Sequence, residues 1–499
     1  MICIYAFSMH KRINCNPSIM LFNSIEFLVF LPIVFLLYWF VCCGRQLQNL
    51  LIVVTSYIFY GWWNWRFLAL IAFTSLCSYE SGLLINHFEG NRQKQQAISA
   101  LNIIVNLGIL AIFKYYNFFV DNLVALFGMM GYHLDWVTIK IILPVGISFY
   151  TFQALSYTID VYRKKIPATY DLVEFFAYIS FFPQLVAGPI ERATNLLPQF
   201  QQTRRFDYKK AVDGLRQMLW GFLKKLVIAD NCASVVNEYW NQYHDLSGLS
   251  LFLLGVLFSF QIYCDFSGYS DIAIGCARLF GFDLMQNFSY PYFSRSIPEF
   301  WRRWHISLTT WFRDYVYFPL GGSRCKTWKI IRNVYLVWMI SGLWHGANWT
   351  FVFWGLFHGT LLTIYNILGV NTKYQQVVAH GRYFPNIKET SQIFFTFFLS
   401  VIGWIFFRAE NMNQSVDYLS AMFSNRFYDS TNMPGLKYLV FGLILLAIEW
   451  LQRERQHALQ LPAIRLFDFR IVRWGIYYFI LIVIAKYSGS SQTFIYFQF

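Results

Sequence analysis

The 499-residue chain is 57% hydrophobic and 21% aromatic but only 13% charged. Soluble domains carry about 25% charged residues, so a soluble globular protein is excluded. Its 40 basic and 26 acidic residues give a formal charge of +14, which in so apolar a chain means Lys/Arg-rich cytoplasmic loops before it means a polyanion partner.

Residues 1–19, MICIYAFSMHKRINCNPSI, make neither a signal peptide nor a span, because the apolar part is short and the basic residues follow it. They read as an over-long start or a peripheral arm. Met20 then opens a natural first helix, MLFNSIEFLVFLPIVFLLYWF. Apolar runs follow at roughly 22–43, 48–63, 66–87, 97–119, 139–160, 172–187, 211–236, 249–264 and 268–282, and after a break at 333–347, 349–370, 391–408, 436–451 and 471–487. A spanning helix needs roughly 20 such residues, so the runs shorter than about 17 are expected to be re-entrant or interfacial. No polar interlude is long enough for a separate soluble domain. Residues 20–487 therefore read as one all-α polytopic membrane domain, followed by an aromatic tail at 488–499.

The break is PYFSRSIPEFWRRWHISLTTWFRDYVYFPLGGSRCKTWKIIR, from Pro291 to Arg332, with ten charged residues among its aromatics. At about 2.5–3.5 kcal/mol for each charge at a helix centre, the stretch cannot face lipid. Its Trp, Phe and Tyr content argues equally against a solvated loop. It is expected at headgroup level or folded into a wet, protein-lined cavity, where a membrane enzyme would meet a charged substrate. Within it, Arg302 and Arg303 are candidates for binding phosphates. His305 is a candidate to face another histidine across a cavity, the plainer reading being an interfacial histidine of the aromatic belt.

That other histidine is His345, inside 40 residues, Asn333 to Thr372, that contain no Lys, Arg, Asp or Glu. An ionisable residue at such depth is a functional candidate by default. A buried imidazole without a carboxylate partner stays neutral at pH 7 and is able to act as general base towards a hydroxyl. On a continuous helix Ser341 and Asn348 would share its face and orient the ring. If Gly346-Ala347-Asn348 forms a turn instead, His345 lies at an interface. The alternative is a histidine bonded to a neighbouring carbonyl, holding helices together. His358, thirteen residues on, is not on the same helical face and reads as structural.

Metal chemistry is not expected. The nine cysteines are scattered without C-x-x-C or ligand spacing, there is no clustered histidine pair, and Asp265 and Asp271 lie six residues apart in another element. The basic residues sit between apolar runs and form no single patch, which speaks against a nucleic-acid partner. At the end of the chain, polar SGSSQT is followed by FIYFQF. This is either an aromatic anchor at the membrane interface or a place where the Tyr496 phenol serves as a transient acyl acceptor.

With RSIPEFWRRWHISLTTWFRDYVYFPLGG, SGLWHGANWTFVFWGLFHG, QIYCDFSGYSDIAIG and FFPQLVAGPIER in that chain, the sequence resembles the membrane-bound O-acyltransferase (MBOAT) family. Within the family it is most like the bacterial alginate O-acetyltransferase type, over nearly everything from Met20 to Phe499. The resemblance implies a ring of tilted and re-entrant helices around a central funnel, with His345 and His305 as the catalytic histidines. It implies no permanently bound cofactor, acetyl-CoA as co-substrate, and a multi-pass protein among the lipids of a bacterial cytoplasmic (inner) membrane. A separate periplasmic or extracellular SGNH-type acetyltransferase would complete O-acetylation of an exported, alginate-like polysaccharide or of peptidoglycan. Phe494, Tyr496 and Phe499 match a family F-x-Y-x-x-F pattern associated with acyl relay. The rival readings are a D-alanyl transferase of the teichoic-acid branch and, from another class, a polysaccharide or lipid transporter without covalent chemistry.

Overall fold

Every regular element among the described residues is helical, as expected of a backbone in lipid, where no water satisfies stray N–H and C=O groups. The computed structural model describes residues 20–132, 142–185, 188–370, 373–424, 435–461 and 469–497, with Tyr428 and Phe467 besides. The arm at 1–19, the start of the 139–160 run, the end of the 172–187 run, Asn371 and Thr372 of the uncharged stretch, and Phe499 lie outside them.

Among the described residues, four helical stretches are long and apolar enough to cross a membrane. They are Arg45–His87, which bends through a 3-10 turn at Trp65–Phe67, then Arg92–Met129, Gly248–Leu279 and Ile387–Arg408. Apart from Gly248–Leu279, which is buried nearly all round, their amphipathicity is turned inside out. On Arg92–Met129, Leu101, Ile104, Ile112 and Phe119 are exposed while Ser99, Asn102 and Asn106 are buried. The Asn102 amide bonds the Ser78 hydroxyl at 3.3 Å and accepts from Thr158 at 3.1 Å. Apolar surface faces lipid, and polar side chains join helix to helix.

The sequence pattern divides 249–282 into runs at 249–264 and 268–282, with Gly268 opening the second, yet Gly248–Leu279 is one helix of 32 residues, 78% buried over its most apolar window. The glycine is there for a neighbour, and the helix runs straight through it. A Cβ on Gly275 would stand 2.4 Å from the Gly214 carbonyl oxygen, and one on Gly221 would stand 2.6 Å from that of Gly268. Two glycine pairs thus let Gly248–Leu279 and Tyr208–Phe222 touch backbone to backbone, as small residues do in membrane helix packing. Beyond Phe222 the second helix continues through a π turn, Leu223–Ala229, into Asp230–Tyr239. Ala193–Gln201 and Met412–Met422 are short helices that no apolar run announces.

The Asn333–Thr372 stretch folds as a hairpin of Thr327–His345 and Trp349–Ile367. Gly342 and Gly355 seal it, since a Cβ on either would lie 2.2 Å from a carbonyl oxygen of the other helix. The charged segment before it breaks into Ile297–Arg303, Ile306–Phe312 and a π turn at Arg313–Tyr317. Ser296 caps the first piece by accepting from the Glu299 N–H, and Pro298 sits in its first turn. The chain turns sharply at His305, which is left-handed at φ 43°, ψ 53°, a region where histidine is more tolerated than most residues. Phe300, Trp301 and Trp304 are buried, and Glu299 binds Arg295 and Arg303 at 3.0 and 3.1 Å. These three charges are met within the protein, whereas Arg324, Lys326, Lys329 and Arg332 at the end of the segment are exposed.

Candidate active site

His345 is the last residue of its helix, and its position is fixed through the backbone. The Lys114 ammonium donates to the Trp344 and His345 carbonyls at 2.6 and 3.3 Å, and the Tyr115 hydroxyl donates to Leu343 at 2.9 Å. These carbonyls have no intrahelical partner at a C-terminus, where a cation also suits the helix dipole. The side chain is walled by aromatic rings, with centroids of Trp344 and Trp354 at 4.9 Å, Phe407 at 5.3 Å and Tyr496 at 5.6 Å. Nδ1 has no hydrogen-bond partner.

The Ser341–His345–Asn348 stripe of a continuous helix is not formed. The helix ends at His345, and Asn348 caps the next one by accepting from the Thr350 N–H at 3.0 Å while donating to Glu410 O at 2.8 Å. The turn at 346–348 is the alternative that the structure adopts. Packing against rings, not a polar stripe, orients the imidazole.

His305 sits opposite. Its Nδ1 is 3.0 Å from Asn287 Oδ1, which also accepts from the Ser307 hydroxyl at 2.9 Å, while the Asn287 amide nitrogen faces Ser270 Oγ at 3.3 Å. An oxygen approached by these donors makes Nδ1 the protonated nitrogen of the neutral ring and leaves Nε2 as a bare acceptor. Nε2 has no partner.

Two cavities meet at this point. The larger, of about 290 Å³, is lined by Arg302, His305, Arg313, Ser341 and His345 together with apolar and aromatic side chains. The smaller, of about 60 Å³, is lined by Lys114, Phe149, Trp344, His345 and Tyr496 among others. His345 is the one residue that lines both. Tyr496 lies in the 3-10 turn Ile495–Phe497 with its ring centroid 6.3 Å from that of His305, packed on Phe266 at 4.5 Å. The fold thus brings together three residues that are 191 positions apart from first to last, His305 to Tyr496.

The two arginines part company. Arg302 lines the larger cavity and donates to Tyr374 O at 2.8 Å. Arg303 is turned away, with its guanidinium held by Glu299 and the Gln376 carbonyl. Arg313 takes the second cationic place on the wall. Burial alone would raise the neighbouring Asp314 carboxyl, but hydrogen bonds and charge from Arg313 and Arg192 outweigh it and hold the group below the usual carboxylate range. An ionised Asp314 thus balances the cations at the cavity wall.

His358 lines neither cavity. Its Nδ1 accepts from the Trp301 indole at 3.2 Å, and Gly403 packs so closely that a Cβ there would lie 2.7 Å from Nε2. It is a structural histidine. Among the described residues no group of three or more His, Cys, Asp or Glu side chains is placed to hold a metal ion. Sequence reasoning missed Lys114 and Asn287. A lone lysine in AIFKYYNFF was a signal for the first, whereas nothing in QNFSYPYF marks the second.

Residues 57–408 match the profile described as MBOAT, membrane-bound O-acyltransferase family. The chain is 40% identical over 455 residues to the "Probable alginate O-acetylase AlgI" of Pseudomonas aeruginosa, covering 89% of this chain and 84% of that one. It is 34% identical over 438 residues to the peptidoglycan O-acetyltransferase of Helicobacter pylori, covering 81% and 80%. The teichoic acid D-alanyltransferase of Bacillus subtilis is more distant, at 30% over 243 residues, covering 46% of this chain and 61% of that one.

Proposed function

The chain belongs to the membrane-bound O-acyltransferase family, and on that footing we propose that it passes acetyl groups from acetyl-CoA across a bacterial inner membrane, with His345 as general base and Tyr496 as relay. It is a membrane-bound O-acyltransferase. The final acceptor is an exported polysaccharide of the alginate kind or peptidoglycan, reached through an SGNH-type acetyltransferase on the far side. The observation that carries this reading is His345 in the wall between two cavities, with basic residues around one and Tyr496 in the other.

In the first half-reaction acetyl-CoA occupies the larger cavity with its phosphates towards Arg302 and Arg313. His345 takes the proton of the Tyr496 hydroxyl as that oxygen attacks the thioester carbonyl. A C–O bond forms, the C–S bond breaks, and the proton passes from the imidazolium to sulfur, so that CoA leaves as the free thiol. In the second half an acceptor hydroxyl attacks acetyl-Tyr496, and its proton returns through His345 to the phenolic oxygen. Neither half consumes a net proton. His305, with Nδ1–H given to Asn287, keeps Nε2 free to accept a hydrogen bond from a bound group, which suits holding a hydroxyl better than polarising a carbonyl.

The test is thioester cleavage by purified protein in detergent, with the SGNH partner supplied. His345→Ala is expected to lose about 10²–10⁴-fold in turnover, the range of general acid–base catalysis, while still binding donor. Near wild-type cleavage by a well-folded His345→Ala protein would overturn the base assignment. Turnover only with an aminoacylated carrier protein would move the chain to the D-alanyl branch.

A further inference from the structure

Three charged side chains lie buried together away from both cavities. Lys225 Nζ binds Asp230 Oδ1 at 2.7 Å and Asp265 Oδ1 at 2.8 Å, and these side chains are 1–4% exposed. Asp230 follows Lys225 by five residues, a spacing that an α-helix does not bring face to face. The π turn Leu223–Ala229 does so, because it adds a residue to the helical turn. One cation against two carboxylates at membrane depth is costly unless further hydrogen bonds meet the remaining groups.

Those further bonds come from the end of the chain. The third ammonium hydrogen goes to Gln492 O at 3.1 Å, and the Ile495 N–H donates to Asp265 Oδ2 at 2.8 Å. The grip extends upstream, where the Gly489 N–H donates to Leu226 O at 3.0 Å and the Asn231 amide donates to Tyr487 O at 2.8 Å. Gly489 lies so close that a Cβ would stand 3.0 Å from the Asn231 nitrogen. Every one of these contacts holds tail backbone, which fixes its path and depth whatever its side chains. The last of them is made by Ile495, the residue before Tyr496. Directly behind, Phe494 packs on Tyr269 and Phe266 with ring centroids at 4.7 and 5.9 Å.

We infer that Lys225, Asp230 and Asp265 form a clamp that holds the carboxy-terminal tail at the depth where Tyr496 meets His345, and that all three are positioning residues for acyl transfer. The inference rests on the relay reading for its catalytic consequence, but the clamp itself is a statement about where the tail sits.

The experiment measures the two separately. Chymotrypsin cleavage at Phe494 and Tyr496, read by intact mass, reports whether the tail is seated. Acetyl transfer kinetics report whether it is placed to work. In Asp265→Ala the tail is expected to be cut at least about tenfold faster than in wild type, as for a segment that opens locally. kcat should fall about 10²-fold, the cost of a misplaced reacting group, with KM for acetyl-CoA unchanged. Asp265→Asn, which keeps an acceptor for the Ile495 N–H, should recover part of both. Should Asp265→Ala fail to fold, the triple variant Lys225→Met/Asp230→Asn/Asp265→Val removes every charge without a large change in volume, a replacement that buried ion clusters tolerate.

A tail that stays protected in folded clamp variants overturns the clamp, whatever activity does. A released tail with unchanged kcat, beside an inactive Tyr496→Phe, overturns the positioning role. Full activity in Tyr496→Phe defeats the relay alone, because protease protection still reads the clamp.

Discussion

Gly342→Ala asks whether the placement of His345 depends on how closely its hairpin closes. A Cβ at Gly342 would lie 2.2 Å from the Phe351 oxygen, 3.0 Å from its carbonyl carbon and 3.3 Å from Val352 Cα. All three are backbone atoms, so no side chain can swing aside. Ordinary contact begins at 3.4 Å, and the two helices must part by about 1 Å to reach it. Overpacking of this kind costs about 1–3 kcal/mol. His345 lies three residues on, its carbonyl and those of the two residues before it held by Lys114 and Tyr115. A shift of about 1 Å at a reacting group costs about 10²-fold in rate. The assay is kcat for acetyl transfer at saturating donor, with thermal unfolding in detergent to show that the protein is folded. Gly108→Ala is the control, since nothing lies within 4 Å of its Cβ, and it should behave as wild type. A folded Gly342→Ala protein with kcat within about twofold of wild type would refute the reasoning, because it would lose none of that factor.

Arg302→Ala should raise KM for acetyl-CoA by about tenfold with little change in kcat, as expected for losing one charge-assisted hydrogen bond of about 1.5–3 kcal/mol. Arg303→Ala should leave KM alone and lower the Tm instead, since its guanidinium serves Glu299; steady-state kinetics and unfolding scans on both variants separate the two. Asn287→Ala strips the acceptor from His305 Nδ1 and the Ser307 hydroxyl, at about 1–3 kcal/mol for each buried group left unpaired. It should lower both the Tm and kcat, whereas an unchanged kcat would mean that the His305 tautomer does not matter. Lys114→Met removes the ammonium from the Trp344 and His345 carbonyls and should reduce kcat with KM held, as measured in the same transfer assay.

Much of the architecture was legible because lipid imposes few choices. Apolar length marks the helices, and the charge of the Pro291–Arg332 segment rules out lipid contact for it. What failed was punctuation. The apolar runs part between 264 and 268, around Asp265, yet that carboxylate is met by Lys225 on another helix, and no local pattern holds that information. For Asn348 the sequence leaves open a partner on the face of His345 or a turn, and the turn is formed, with Asn348 capping Trp349–Ile367. His305, His345 and Tyr496 attracted notice singly, because each is chemically out of place in its stretch. That they converge depends on two cavities and on a tail path fixed by Lys225 and Asp265, which lie 40 residues apart in sequence. A spacing of that length carries no geometric meaning until the helices are packed.

The measurement that bears most directly on the account is covalent retention of acetyl from radiolabelled acetyl-CoA, located by peptide mapping, in wild type, His345→Ala and Tyr496→Phe. Label is expected on the peptide containing Tyr496 in wild type, discharged when the partner and acceptor are added, and on neither variant. Label elsewhere in the chain, or full transfer by Tyr496→Phe, would contradict a relay that passes through the wall shared by the two cavities.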